Sequence, residues 1–121
     1  MPTIGLPDTA DASIFPAAKV QTIPELIATK ALAQGVNPTL AAKIAFCESS
    51  NRQFDEDGQP LRGLHNPGDI GLFQINERFH LTKSRALGYD IYQTEGNIDY
   101  ALYLITEEGT RHWNYSRACW G

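Results

Sequence analysis

Apolar positions recur at helical spacing in several stretches of the chain. Ile23, Leu26, Ile27, Ala31 and Leu32 predict one helix with those side chains on a common face. Thr22-Ile23-Pro24-Glu25 is a capping-box start with proline in the first turn, and Gly35 is its stop. Asn37-Pro38 opens a second helix in the same way. Leu40, Ala41, Ile44, Cys47 and Glu48 follow at spacings of three and four, which predicts one buried face. The last member of that face is a glutamate, and buried glutamates are rare unless paired or functional. Leu81–Leu87 reads as a short helix ending at Gly88. Thr94-Glu95-Gly96-Asn97 starts a longer one through about Glu108, striped by Ile98, Ala101, Leu102 and Ile105 and ended by Gly109.

The connecting segments read differently. Residues 49–70 carry turns at Asp55-Glu56-Asp57-Gly58 and Asn66-Pro67-Gly68-Asp69, as expected of a long structured loop or a small irregular β-hairpin. Ile70–Asn76 alternates imperfectly, as a short strand or a helix entry would. The aromatic tail from Trp113 to Trp120 is expected to pack back on the body. Residues 1–21, with Pro2, Pro7 and Pro16 and no period, read as an N-terminal arm, linker or surface strap. The remainder, 22–121, forms one domain of α+β class, mostly helical, with a small β or loop element.

Composition narrows the classes. The 121 residues suit a single domain, and 42% hydrophobic content supports a core. The net charge of −4 argues against a duplex nucleic-acid partner. No apolar run approaches the roughly 18 residues of a membrane span. The first twenty residues lack the pattern of a secretory signal. Cys47 and Cys119 have no CxxC or Cys/His partner, so a zinc site is disfavoured. They are either two free thiols or a pair that pins the C-terminus beside the Glu48 helix. Such a bridge would close about 70 residues and contribute ~4 kcal/mol. The acidic cluster near Asp55 lacks the alternation and closing glutamate of a calcium loop. His65, His80 and His112 lack metal-ligand spacing, so neither metal nor organic cofactor is expected.

Glu48 carries the sharpest chemistry. At the C-terminal end of a helix it faces the negative pole of the macrodipole, and its apolar neighbours remove water. Both effects favour the protonated form, as a general acid requires. The competing reading is an exposed helix-end glutamate. Asp69 lies among polar residues and glycines and should stay ionised, able to support a positive sugar carbon. Alone, an aspartate in such a turn more often caps its own backbone. Gln74 and Asn76 bring amides suited to sugar hydroxyls, or to bonds within a loop. Tyr100 and Trp113 head the aromatics able to face sugar rings, although most aromatics in so small a domain are core.

A family likeness rests on these residues. Ala42-Lys43-Ile44-Ala45-Phe46-Cys47-Glu48-Ser49 resembles the end of the catalytic helix in the lysozyme-like superfamily. Asp69-Ile70-Gly71-Leu72-Phe73-Gln74-Ile75-Asn76 resembles a stretch of chicken-type lysozymes, and also one of secretion-associated lytic transglycosylases. Asn97-Ile98 followed by Ala101 is similar to a helix of the soluble lytic transglycosylase domain. That helix usually carries a tyrosine where this chain has Leu104. A cysteine before the glutamate and another near a late tryptophan are similar to resuscitation-promoting factors. The resemblance implies a Cys47–Cys119 disulfide, a lysozyme-like fold with a cleft beside the small β element, and Glu48 and Asp69 as the catalytic pair. It also implies an extracytoplasmic monomer that cleaves peptidoglycan. The expected route is that of a lytic transglycosylase; a hydrolytic lysozyme, or a glycan-binding domain without turnover, are the alternatives.

Overall fold

The computed structural model describes residues 20–121; residues 1–19, most of the segment read as an arm, lie outside the described part. Helix α1, Ile23–Ala33, begins as its capping box requires. The Glu25 N–H donates to Thr22 Oγ1 at 3.2 Å and the Thr22 N–H donates to Glu25 Oε1 at 2.9 Å. Helix α2, Pro38–Ser49, starts on Asn37, whose Oδ1 accepts from Thr39 N–H at 2.9 Å and Leu40 N–H at 3.1 Å. The two helices pack together, and Ile27, Ala31, Ala41, Ile44 and Ala45 lie in one core cluster without solvent exposure. Leu32 departs from its expected place on that face and is 68% exposed. One residue is ~100° of helical rotation, so burying Ala31 turns Leu32 outward.

The expected strand or helix entry is a hairpin. Strands β1, Asp69–Ile70, and β2, Ile75–Asn76, pair antiparallel with Asp69 opposite Asn76. Among the described residues the class is therefore α+β with one small two-stranded sheet. Gly71 (φ +71°) and Gln74 (φ +50°) turn the connection, and Leu72 and Phe73 between them are fully buried. Residues 50–68 wrap this hairpin as an irregular β region: the Gly71 N–H donates to Leu61 O at 2.7 Å and the Gly63 N–H to Asp69 O at 2.9 Å.

Two buried amides hold the turn. Gln53 Oε1 accepts the Leu72 N–H at 2.9 Å, and its Nε2 donates to Ile91 O at 3.1 Å. Asn97 Oδ1 accepts the Phe73 N–H at 2.9 Å, and its Nδ2 donates to Ile70 O at 2.9 Å and Ile91 O at 2.8 Å. Both amides press on Gly71. A Cβ there would come within 2.4 Å of Gln53 Oε1 and 2.6 Å of Asn97 Nδ2. Any larger residue would have to displace one of the two amides and would be strained at this positive φ.

Helix α3 runs Glu77–Ala86, starting four positions before the expected Leu81. Asn76 caps it by accepting the Phe79 N–H at 3.2 Å, and the polar first turn hides the period from sequence. Helix α4, Thr94–Glu108, has Gln93 as its N-cap and no side-chain cap. Asn97, expected among its starting residues, is turned into the core instead. Ile98, Ala101 and Leu102 are buried as expected, and Tyr100 and Leu104 join them.

The tail packs back. A 3-10 segment, Arg111–Ser116, leads into helix α5, Arg117–Trp120. Trp113 Nε1 donates to Phe73 O at 2.8 Å, tying the tail to the hairpin. A disulfide joins Cys47 to Cys119 across 72 positions, with a Cα–Cα distance of 6.0 Å. A loop of this length contributes ~4 kcal/mol in the chain-entropy model. Among the described residues no helix is long and apolar enough to cross a membrane.

Candidate active site

Glu48 is the next-to-last residue of α2, where Ser50 (φ +55°) ends the helix and its N–H bonds Phe46 O at 2.8 Å. Its side chain is half-buried and accepts a hydrogen bond from the Ser116 hydroxyl. Burial raises the Glu48 carboxyl above the ordinary range. The Ser116 hydroxyl opposes that shift and the charge on Asp69 reinforces it.

Three adjoining recesses meet at this point, of about 280, 260 and 410 Å³. Glu48 and Gln74 line all three, and Asp69 and Tyr115 line two. Together they form a groove with the carboxyl of Glu48 at its junction. A larger hollow of about 660 Å³ lies beside Pro24, Phe46 and the disulfide. Its lining is mostly apolar and, among the described residues, includes no carboxylate, whereas the smaller groove holds both Glu48 and Asp69.

Asp69 is placed by the hairpin rung it occupies. Asn76 Nδ2 donates to Asp69 Oδ1 at 3.0 Å. The amide of Asn76 is thus committed at both ends, to Asp69 and to the cap of α3, although the residue lines the groove. Gln74 Nε2 donates to Gly71 O at 3.0 Å within its own turn.

Tyr100 requires a correction. It is fully buried, and its hydroxyl lies 2.8 Å from His80 Nδ1. Burial pushes its pKa up to about 12. Its ring face is therefore closed to any ligand, and it supports His80 from behind the groove wall. Trp113 is 2% exposed; it borders the groove while its indole nitrogen is held by Phe73.

Several wall residues escaped sequence reasoning. His80 and His112 meet with ring centroids 5.1 Å apart, and His112 Nε2 lies 2.7 Å from Glu108 Oε1. Burial, then the neighbouring His112, lowers the His80 pKa. Phe79 lines the groove while remaining largely exposed, as does Leu64 in the adjoining recesses, and Tyr115, one of the tail aromatics able to face a sugar ring, joins them. Ser116 was legible only through the disulfide. It lies one helical turn before Cys119, and Glu48 follows Cys47, so bridging the cysteines brings serine and glutamate together. Among the described residues no group of three or more His, Cys, Asp or Glu side chains is arranged to hold a metal ion.

Comparison of the chain with protein-family models, curated proteins and solved structures returned no match.

Proposed function

We propose that the protein is a lysozyme-like enzyme that cleaves peptidoglycan glycan strands outside the cytoplasm, at the β-1,4 bond between N-acetylmuramic acid and N-acetylglucosamine. The observation that carries this reading is a half-buried glutamate, held toward its protonated form, at the centre of a polar groove that also holds Asp69. A glutamate whose carboxyl is held neutral can protonate a glycosidic oxygen, and Asp69 lines the same recesses as a second carboxylate. The groove also offers the exposed aromatic faces of Phe79 and Tyr115, which suit sugar rings.

In the transglycosylase route Glu48 protonates the glycosidic oxygen as the bond to the muramic C1 breaks. The resulting carboxylate then takes the proton of the muramic 6-hydroxyl as that oxygen attacks C1. The product is a 1,6-anhydro sugar, and Glu48 ends protonated. The presence of Asp69 in the same recesses favours a second reading, in which its carboxylate supports the positive carbon and water completes a hydrolysis.

Digestion of purified wall glycan tests both. Glu48→Gln should lose at least about a hundredfold in rate, the lower end of the usual contribution of a general acid. Equal clearing by wild type and Glu48→Gln would end the enzymatic reading in favour of a glycan-binding domain. Mass spectrometry of the products separates the routes, because the anhydro end is lighter by one water.

A further inference from the structure

Among the described residues, the carboxylate of Glu48 has one hydrogen-bond partner, Ser116. The surroundings of that serine are as specific as the bond itself. Ser116 Oγ also lies 3.2 Å from Trp113 O, an acceptor, and 3.1 Å from Trp120 Nε1, a donor. The indole N–H of Trp120 is shared with Trp113 O, also at 3.1 Å. A hydroxyl has one hydrogen to give and two lone pairs to offer. Its two acceptors, Glu48 and Trp113 O, therefore compete for one proton.

The competition resolves differently in the two states of Glu48. When Glu48 is ionised, Ser116 donates to it, and Trp113 O keeps its share of the Trp120 N–H. When Glu48 carries a proton, that O–H donates to Ser116 Oγ, and Ser116 redirects its own hydrogen to Trp113 O. Each state leaves every hydrogen bonded, and no heavy atom has to move. We propose that Ser116 is a positioning residue that reverses the direction of its bond to Glu48 as the acid gains or loses its proton, with the Trp113 carbonyl as the alternate acceptor.

The arrangement is built rather than incidental. Trp113 and Trp120 are 2% and 7% exposed, and the disulfide fixes the turn after Ser116 to the residue before Glu48. Its value for catalysis rests on the reading of Glu48 as acid and then base, since that cycle visits both protonation states in each turnover. An arm able only to donate would favour the carboxylate and leave the acid form poorly held. Other titratable and charged groups line the same site. Asp69 faces Glu48 from the hairpin, His80 from α3, and His112 and Tyr115 from the tail. Arg52, Arg62 and His65 line the adjoining recesses from the loop.

A carbon-13 NMR titration of the Glu48 carboxyl, in the free protein, tests the device without any substrate. In Ser116→Ala the donor to the ionised form is gone, so the midpoint should rise by about half a unit or more. Ser116→Thr keeps the hydroxyl and should return the midpoint close to wild type. The pH profile of glycan cleavage should follow, its Glu48 limb moving upward in Ser116→Ala with KM little changed. The midpoint reports donation alone, so the reversal is read at the Trp120 indole N–H, which shares Trp113 O with Ser116 and whose proton resonance should titrate with Glu48 in wild type and in Ser116→Thr. A resonance that stays flat through the Glu48 midpoint, or an unmoved midpoint in a folded Ser116→Ala protein, overturns the proposal. Should that variant not fold, Ser116→Cys substitutes a weaker donor, and the same upward shift is required of it. The titration also separates this idea from the enzymatic reading. A shifted midpoint in a protein inactive on glycan would remove the activity and leave the relay standing.

Discussion

Asn97 on α4 and Phe73 at the tip of the hairpin are joined by a 2.9 Å bond from backbone N–H to side-chain amide oxygen, wholly inside the core. The same amide satisfies two carbonyls, Ile70 O and Ile91 O. One buried side chain thus serves three backbone groups that have no access to water. Asn97→Ala should cost about 2–4 kcal/mol, because those groups lose their partner together. Urea denaturation will read this as a lower midpoint at unchanged slope. A loss under about 0.5 kcal/mol would mean that the hairpin is held by something else.

Glu48 makes a second, opposite prediction for stability. Its carboxyl is raised in the folded state, so the native protein binds the proton more tightly than the unfolded chain. Stability from this group is therefore greatest below the unfolded pKa and declines as pH rises through the folded one. Glu48→Gln removes the charge that burial penalises. Its melting temperature should exceed wild type by about 1–3 °C at neutral pH, and the advantage should vanish in acid. A variant that melts lower at neutral pH would show that the glutamate is not destabilised where it stands.

The cross-link predicts a dependence on reducing agent. Its loss, by dithiothreitol or in the double variant Cys47→Ala/Cys119→Ala, should cost about 4 kcal/mol in guanidinium denaturation. It should also depress glycan cleavage beyond any global unfolding, because the tail that carries Ser116 is freed beside Glu48. Full activity in the reduced protein at a temperature where it stays folded would refute that second part.

Tyr115 separates binding from folding. It borders two of the three recesses and is fully exposed. Tyr115→Ala should raise KM about five- to tenfold, the loss of one stacking face, while shifting the melting temperature by no more than about 1 °C. An unchanged KM would place the sugar path elsewhere in the groove.

Local signals in the chain were readable wherever the physics is local. The capping box of Thr22 and Glu25 and the Asn37 cap depend on residues a few positions apart, and both helices start where expected. Glu48 was conspicuous because a charge ended an apolar face. The residues whose role the sequence leaves hidden are those whose partners are set across the chain. Asn97 looks like a helix-start residue until the hairpin is laid against it. Tyr100 looks like a sugar platform until its ring is found covered on the way to His80. Ser116 has no local signature at all, since its partner lies 68 positions away and only the cysteine pair announces the meeting. Leu32 shows the converse limit: a stripe of apolar letters does not say where the neighbouring helix stops covering it.

The hairpin that presents Asp69 has strands of only two residues each, too little ladder to stand alone. Its anchorage is borrowed from Gln53 before it and Asn97 after it, and from an indole forty positions downstream. The groove therefore exists only once nearly the whole described chain has been assembled. A truncated fragment ending before α4 would keep both acidic letters and possess no site.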